Sequence, residues 1–328
     1  MNETRVLANA ATRNLSFDKA LVMNASNDAS QSQHRSVLPI EVLQALDPQP
    51  GQVFVDATVG AGGHTRLLAN RVEPNGRVIG LEQDPTMIDL AAQRLQGLPI
   101  SLVHTNFGAL REVLDQLGID KVHGILADLG FCSDQMENAE RGLSFQEDGP
   151  LDMRLDPTQG ETAASLIRRL SERDLANVIF EFGEERCSRR IARQIVERRR
   201  SDPVTTTAEL AELVRRCVPR PKGRGPFLHP ATRTFQALRI AVNHELEMLD
   251  HLLAQLPDCL LPGGRAAIIS FHSLEDRRVK VAFRQRDIWQ KTSSKPITAS
   301  EDEVRDNPRA RSAKLRVAEL RGESPTPD

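Results

Sequence analysis

Residues Val53–Thr65 read VFVDATVGAGGHT, and the next apolar run, Arg77–Leu81, closes on a single acid, Glu82. A short β-favouring run enters a turn holding Gly60, Gly62 and Gly63, and a helix-compatible stretch follows. Strand, glycine turn and helix in this order open a nucleoside pocket in an open α/β sheet. Glycines allow close approach of backbone and ligand. A carboxylate at the end of the second strand, 20 residues after Gly62, can accept hydrogen bonds from ribose hydroxyls. A ligand-free glycine turn is the plain alternative, and the strand-end acid argues against it.

Spacing separates two nucleotide-like ligands. A dinucleotide loop reads G-x-G-x-x-G, its third glycine permitting close helix–strand packing beside the pyrophosphate. Counted from Gly60, that third position is Thr65, which disfavours a nicotinamide oxidoreductase. The pattern Asp56-x-x-x-Gly60-x-Gly62-Gly63 instead resembles the first motif of Rossmann-like S-adenosylmethionine (SAM) methyltransferases. SAM has no pyrophosphate to cradle.

Working outward, four apolar runs alternate with helical stretches: Val53–Ala57, Arg77–Leu81, Ile100–His104 and Gly124–Asp128. Such alternation predicts βαβ units and a parallel sheet. From about Asp134 to Arg239 no strand-like run occurs, and Ser171–Phe182, Glu184–Arg199 and Thr206–Val218 read as helices. After a predicted helix over Thr232–Leu253, strand-like runs return at Arg265–Phe271 and Lys314–Leu320. The expected organisation is a disordered tail over 1–33, a methyltransferase domain in two pieces, 34–133 and 240–328, and an inserted all-helical substrate domain over 134–239.

Composition narrows the class. The 328 residues hold 43 Lys+Arg against 45 Asp+Glu, so any nucleic-acid surface must come from local clustering. Four separated cysteines without a C-x-x-C pair read as reduced thiols, neither a disulfide framework nor a zinc site. No run approaches the length of a membrane span, and the N-terminus lacks a signal core, so a cytoplasmic protein is expected. Arginines crowd Arg186–Arg200, where Glu184, Glu185 and Glu197 should offset them into a solvated face. Arg220, Lys222 and Arg224, in the loop PRPKGRGP, suit RNA phosphates better. Arg309, Arg311, Lys314 and Arg316 form a third cluster.

Strand ends in such a sheet face the ligand crevice. Asp128 ends the fourth run and Phe107 follows the third. In a SAM pocket they would contact the adenine region; otherwise they are a cap and a core residue. Amino methyltransferases acting on bases often carry Asp/Asn-Pro-Pro-aromatic at this strand end. Here Asp128-Leu129-Gly130-Phe131 keeps the acid and the aromatic without the prolines. Asp152 and Arg154 beside a Gly-Pro turn, and His272 at a strand's carboxyl end, are candidate substrate-orienting or proton-handling groups. Each is equally a candidate junction or capping residue.

Longer signatures now align: DATVGAGGHT at Asp56–Thr65, AERGLSFQEDGPLDMRLDP at Ala139–Pro157, and GEER at Gly183–Arg186. HPATRTFQALRIAVNHEL at His229–Leu246, GGRAAIISFHSLEDRRVK at Gly263–Lys280 and NPRARSAKLRVAE at Asn307–Glu319 extend them. Together these segments resemble the bacterial 16S ribosomal RNA cytosine-N4 methyltransferases known as RsmH (MraW). The resemblance implies a class I SAM methyltransferase sheet with an inserted helical domain. It also implies methyl transfer to N4 of a cytidine in the decoding region of 16S rRNA, with the small ribosomal subunit as partner and no metal. By motif match the cofactor contacts fall on Gly62, Gly63, His64, Glu82, Phe107, Asp128 and Gln135. His64 and Gln135 rest on the resemblance alone.

Two departures stand out. Glu82 replaces the family's usual Asp, and Phe131-Cys132 replaces Val-Ser after Asp128-Leu129-Gly130. Competing readings are a methyltransferase for a small molecule or protein, and a non-catalytic ribosome-assembly factor with a vestigial pocket. Monomer and homodimer stay equally open.

Overall fold

The computed structural model describes residues 35–219 and 229–322. The expected N-terminal tail, His34, and the Arg220–Arg224 loop lie outside the described residues. The chain forms two compact units, one made of residues up to Gly130 with those from Met248 onward, the other of Phe131–Glu247. The units meet at 130/131 and 247/248, where the expectation had 133/134 and 239/240, and Phe131 and Val242 pack into the helical core.

In the first unit, helix α1 (Pro39–Leu46) precedes β1 (Val53–Asp56), α2 (Gly63–Val72), β2 (Arg77–Glu82), α3 (Pro85–Arg94) and β3 (Ile100–His104). Helix α4 (Leu110–Gln116) and β4 (Val122–Asp128) follow. The seven-stranded sheet runs β3-β2-β1-β4-β5-β7-β6, with β5 (Leu260–Ser270), β6 (Trp289–Thr292) and β7 (Lys314–Leu320) added after the insertion. Strands β1 to β5 pair in parallel, and β7 runs antiparallel to both β5 and β6. The order switches direction at β1, with β2 on one side and β4 on the other, which opens the crevice at the carboxyl ends of these strands.

Both faces of the sheet are covered, which is why its strands read as near-continuous apolar runs. Val55, Ile79, Leu81, Ile125 and Ile268 point into one core, while Phe54, Val78, Leu126, Ala267 and Ile269 point into the other. The result is a doubly covered α/β sheet, interrupted in sequence by a helical unit.

That second unit contains α5 (Ser133–Glu137), α6 (Ala163–Arg169), α7 (Glu172–Gly183), α8 (Ser188–Arg198), α9 (Thr207–Cys217) and α10 (Thr232–Asn243). Its starts are written in the sequence. Ser171 Oγ accepts from Asp174 N–H, and Thr206 with Glu209 forms a reciprocal capping box. Leu175, Ile179, Ile191, Ile195, Leu210, Val214 and Phe235 fill its core. The Ile191–Ile195 stripe finds its partners there.

Several elements differ from expectation. The helix predicted over Thr232–Leu253 is two, α10 and α11 (Glu245–Cys259), broken at His244 in the left-handed region, φ 51°. The strand expected from Arg265 begins at Leu260, running through the Pro262-Gly263-Gly264 turn. The edge strand β6 and helix α13 (Glu301–Asp306) carry no periodic signal.

Candidate active site at the strand ends

The ends of β1, β2 and β4 carry Asp56, Glu82 and Asp128, and α2 sets His64 beside Asp128 and Asp56. Asp56 is fully buried. It accepts from Thr65 Oγ (2.7 Å) and from Thr58 N–H (3.1 Å), and burial raises its pKa despite them. Thr65, which stands where a dinucleotide loop has glycine, thus ties the helix to β1. Thr58 Oγ in turn accepts the backbone N–H of Asp128 at 2.6 Å. These hydroxyls were visible in the motif, yet only the geometry gives them a task.

Glu82 is held by two amides from different segments. Oε2 accepts from Gly60 N–H and Oε1 from Asp84 N–H, both at 2.8 Å. Each oxygen keeps a further lone pair for a hydroxyl donor. Only 8% exposed, its carboxyl is pushed up to about 7 by burial, against the pull of those amides. Asp84 caps α3 by accepting from Thr86 N–H, and Asn106 Nδ2 donates to Gln83 Oε1, bracing the loop after β2 against the turn after β3. Phe107 follows in that turn, half-buried against the sheet core.

His64 is 7% exposed, and neither ring nitrogen makes a hydrogen bond. Its Nε2 stands 3.6 Å from Asp128 Oδ2. Burial draws the imidazole pKa down, but the Asp128 and Asp56 carboxylates outweigh it and the balance is upward. Asp128 itself accepts Gly130 N–H at Oδ1 (3.1 Å). A Cβ at Gly130 would meet the Phe271 ring at 2.6 Å, so that position admits only glycine without rearrangement.

The glycines of the loop serve protein contacts. A Cβ on Gly62, at φ 86°, would touch the Leu95 side chain at 3.0 Å. One on Gly63 would lie 2.1 Å from Ser36 Oγ. Ser36 belongs to a strap, Arg35–Leu38, laid over the start of α2. Leu38 N–H donates to Glu303 Oε1 (2.7 Å), and Asn307 Nδ2 donates to Arg35 O (3.1 Å). Gly62 and Gly63 thus have no room for a side chain, while their backbone stays the proposed approach for a ligand.

The remaining predicted residues have local partners. Asp152 and Arg154 form a two-pronged pair (2.7 and 2.8 Å) in the helical unit. Burial works against the Asp152 charge, but the Arg154 guanidinium holds its pKa below the ordinary value. His272 caps α12 (Ser273–Ala282), its Nε2 3.1 Å from Glu275 Oε1. Gln135, in the helical unit, accepts Cys132 N–H at Oε1 and caps α5. Phe131 carries the Arg239 guanidinium 3.9 Å above its ring, and Arg239 is clamped by both oxygens of Glu245. The arginines of α8 pair with acids other than those expected: Arg193 with Glu172, and Arg198 with Asp202 and Glu209. Glu185 and Glu197 instead accept from Cys187 N–H and Gln194.

The protein-family model described as the MraW methylase family matches residues 31–321. A ribosomal RNA small subunit methyltransferase H from Sorangium cellulosum is 50% identical over 288 residues, covering 87% of this chain and 90% of that protein. Its namesake from Pelobacter propionicus is 47% identical over 308 residues, covering 88% and 98% respectively. A solved structure, the putative rRNA-methylase from Clostridium thermocellum, covers 85% of this chain and 94% of its own at 13% identity and a TM-score of 0.41, too slight to argue from. Joined to the strand order and the strand-end carboxylates, the full-length matches settle the assignment: the chain belongs to the MraW methylase family.

Proposed function

We propose that the chain transfers a methyl group from SAM to N4 of a cytidine in the decoding region of 16S rRNA, within the small ribosomal subunit. The observation that carries this reading is the placing of Glu82 and of the Asp128–His64 pair at the ends of the strands that flank β1. Asp128 and the ionised form of Glu82 favour a cationic ligand over a neutral one. Free lone pairs on Glu82 suit a ribose diol. SAM, a sulfonium bearing ribose, ammonium and carboxylate groups, fits this set. An rRNA substrate is supported by the relatives, which are named ribosomal RNA small subunit methyltransferase H.

SAM supplies an electrophilic methyl group when bound. Glu82 then fixes the ribose and Phe107 offers an apolar wall. Asp128 accepts a hydrogen bond from the cytosine amine, aligning a lone pair otherwise delocalised into the ring. That pair forms the new N–C bond, the C–S pair returns to sulfur, and the surplus amine proton leaves to solvent or an acceptor. Orientation of this kind is worth roughly 7–11 kcal/mol. The target base must be unpaired or flipped to reach the group that aligns it. Gln135, Asp152, Arg154 and His272 stay proposals as substrate- or cofactor-orienting residues, their observed bonds being structural.

Tritiated SAM with 30S subunits lacking the modification tests the reading. The parent protein should yield N4-methylcytidine in the nuclease digest, and Asp128→Ala should slow it by about a hundredfold. Label in protein or small molecules, with none in rRNA, would sink it. SAM binding without turnover would instead favour the assembly-factor reading.

A further inference from the structure

Between Arg277 and Lys295 seven basic side chains stand against one acid, Asp287. Helix α12 starts where β5 ends, at the crevice edge, and runs back along the sheet toward the edge strand β6. Arg277, Arg284, Arg286, Lys291 and Lys295 are exposed and Lys280 is half-buried. Neighbouring acids offset part of this charge, at Arg278 and Lys291. Asp276 is bonded to Arg316 and Lys314, Asp250 to Arg278, and Glu319 to Lys291 and Arg265. Among them stands Val281, 61% exposed, an apolar residue amid cations.

From the crevice edge to Arg286 the helix and its exit span about 20 Å, at 1.5 Å per residue. A solvated salt-bridged face would alternate in sign; this one does not. We infer that the exposed side of α12 and the adjoining β6 edge form a binding track for the phosphate backbone of RNA, leading away from the strand-end site. This rests on the rRNA reading above and names a surface that reading leaves open. Exposed guanidinium and ammonium groups at helical spacing meet successive phosphates without reading bases, and Val281 packs on sugar between them. Such contacts place the substrate strand and release counterions.

The test compares the parent with the triple variant Lys280→Ala, Arg284→Ala, Arg286→Ala, using a fluorescent 16S rRNA transcript titrated at several salt concentrations. SAM binding by calorimetry on the same variant verifies folding. Each lost phosphate contact lowers the slope of log K against log salt by about 0.7–0.9, so the variant's slope should fall by roughly 2. SAM affinity should be unchanged. A second variant, Arg284→Glu with Arg286→Glu, should weaken transcript binding further at low salt. Parent-like slope and affinity in both variants would overturn the track while leaving methylation of rRNA intact. A parent that neither binds nor methylates rRNA would overturn both. Binding to anionic vesicles in preference to the transcript would overturn the RNA assignment of this face.

Discussion

At the residue scale, Glu82 makes the sharpest demands. Its folded pKa of about 7 lies above the ordinary 4.5 because burial disfavours the charge. A raised carboxyl pKa means the folded state binds its proton more tightly than the unfolded chain does. The favourable contribution is therefore complete below pH 4.5 and is lost as pH rises through 7, by an amount on the order of 3 kcal/mol. Urea unfolding at pH 5 and pH 8 should show Glu82→Gln less pH-sensitive than the parent by that order. SAM binding should move the other way. The ionised carboxylate is the better acceptor for hydroxyls, so affinity should fall roughly tenfold from pH 8 to pH 6, and Glu82→Gln should flatten the profile. Thr65→Val tests the other strand end: it strips a buried carboxylate of a hydrogen bond and should cost about 1–3 kcal/mol in chemical denaturation.

Two contacts between elements are open to the same treatment. Gly63→Ala places a Cβ 2.1 Å from Ser36 Oγ, at the junction of strap and α2. The clash should destabilise the protein by about 1–3 kcal/mol. Ser36→Ala leaves the nearest atom, its Cβ, at an ordinary 3.5 Å, so the double variant should recover most of the loss. His244 ends α10 in a conformation that costs most side chains energy and glycine little. His244→Gly should therefore be neutral or stabilising by up to about 1 kcal/mol, read from the denaturation midpoint. That break was illegible in ALRIAVNHELEML, which holds neither glycine nor proline and keeps helical periodicity throughout. The parallel strands were legible for the opposite reason, since burial on both faces writes continuous apolar runs. Glu82 and Asp128 were legible because a strand's last residue is fixed by the run that precedes it. Ser36 over Gly63 was not, for it depends on a strap fastened by residues some 265 positions downstream.

For the whole molecule, ligand linkage gives a general check. A ligand that binds only the folded chain, present at a hundred times its dissociation constant, stabilises by about 2.7 kcal/mol. Saturating SAM should shift the thermal midpoint of the parent upward and leave Glu82→Ala nearly unmoved at the same concentration. The two-unit layout was readable as a loss of strand signals between two runs of them. Edge elements such as β6 were not, because an edge strand with exposed polar residues, WQKT, lacks the pattern that burial imposes.

The strap's fastening also bears on biosynthesis. Glu303 and Asn307, which hold Arg35–Leu38 over the start of α2, are made some 265 residues after the strap they fasten. β7, which joins β5 to the edge strand, emerges later still. A nascent chain can thus form its first βα units early yet keep the glycine turn uncovered until those distant residues have been made.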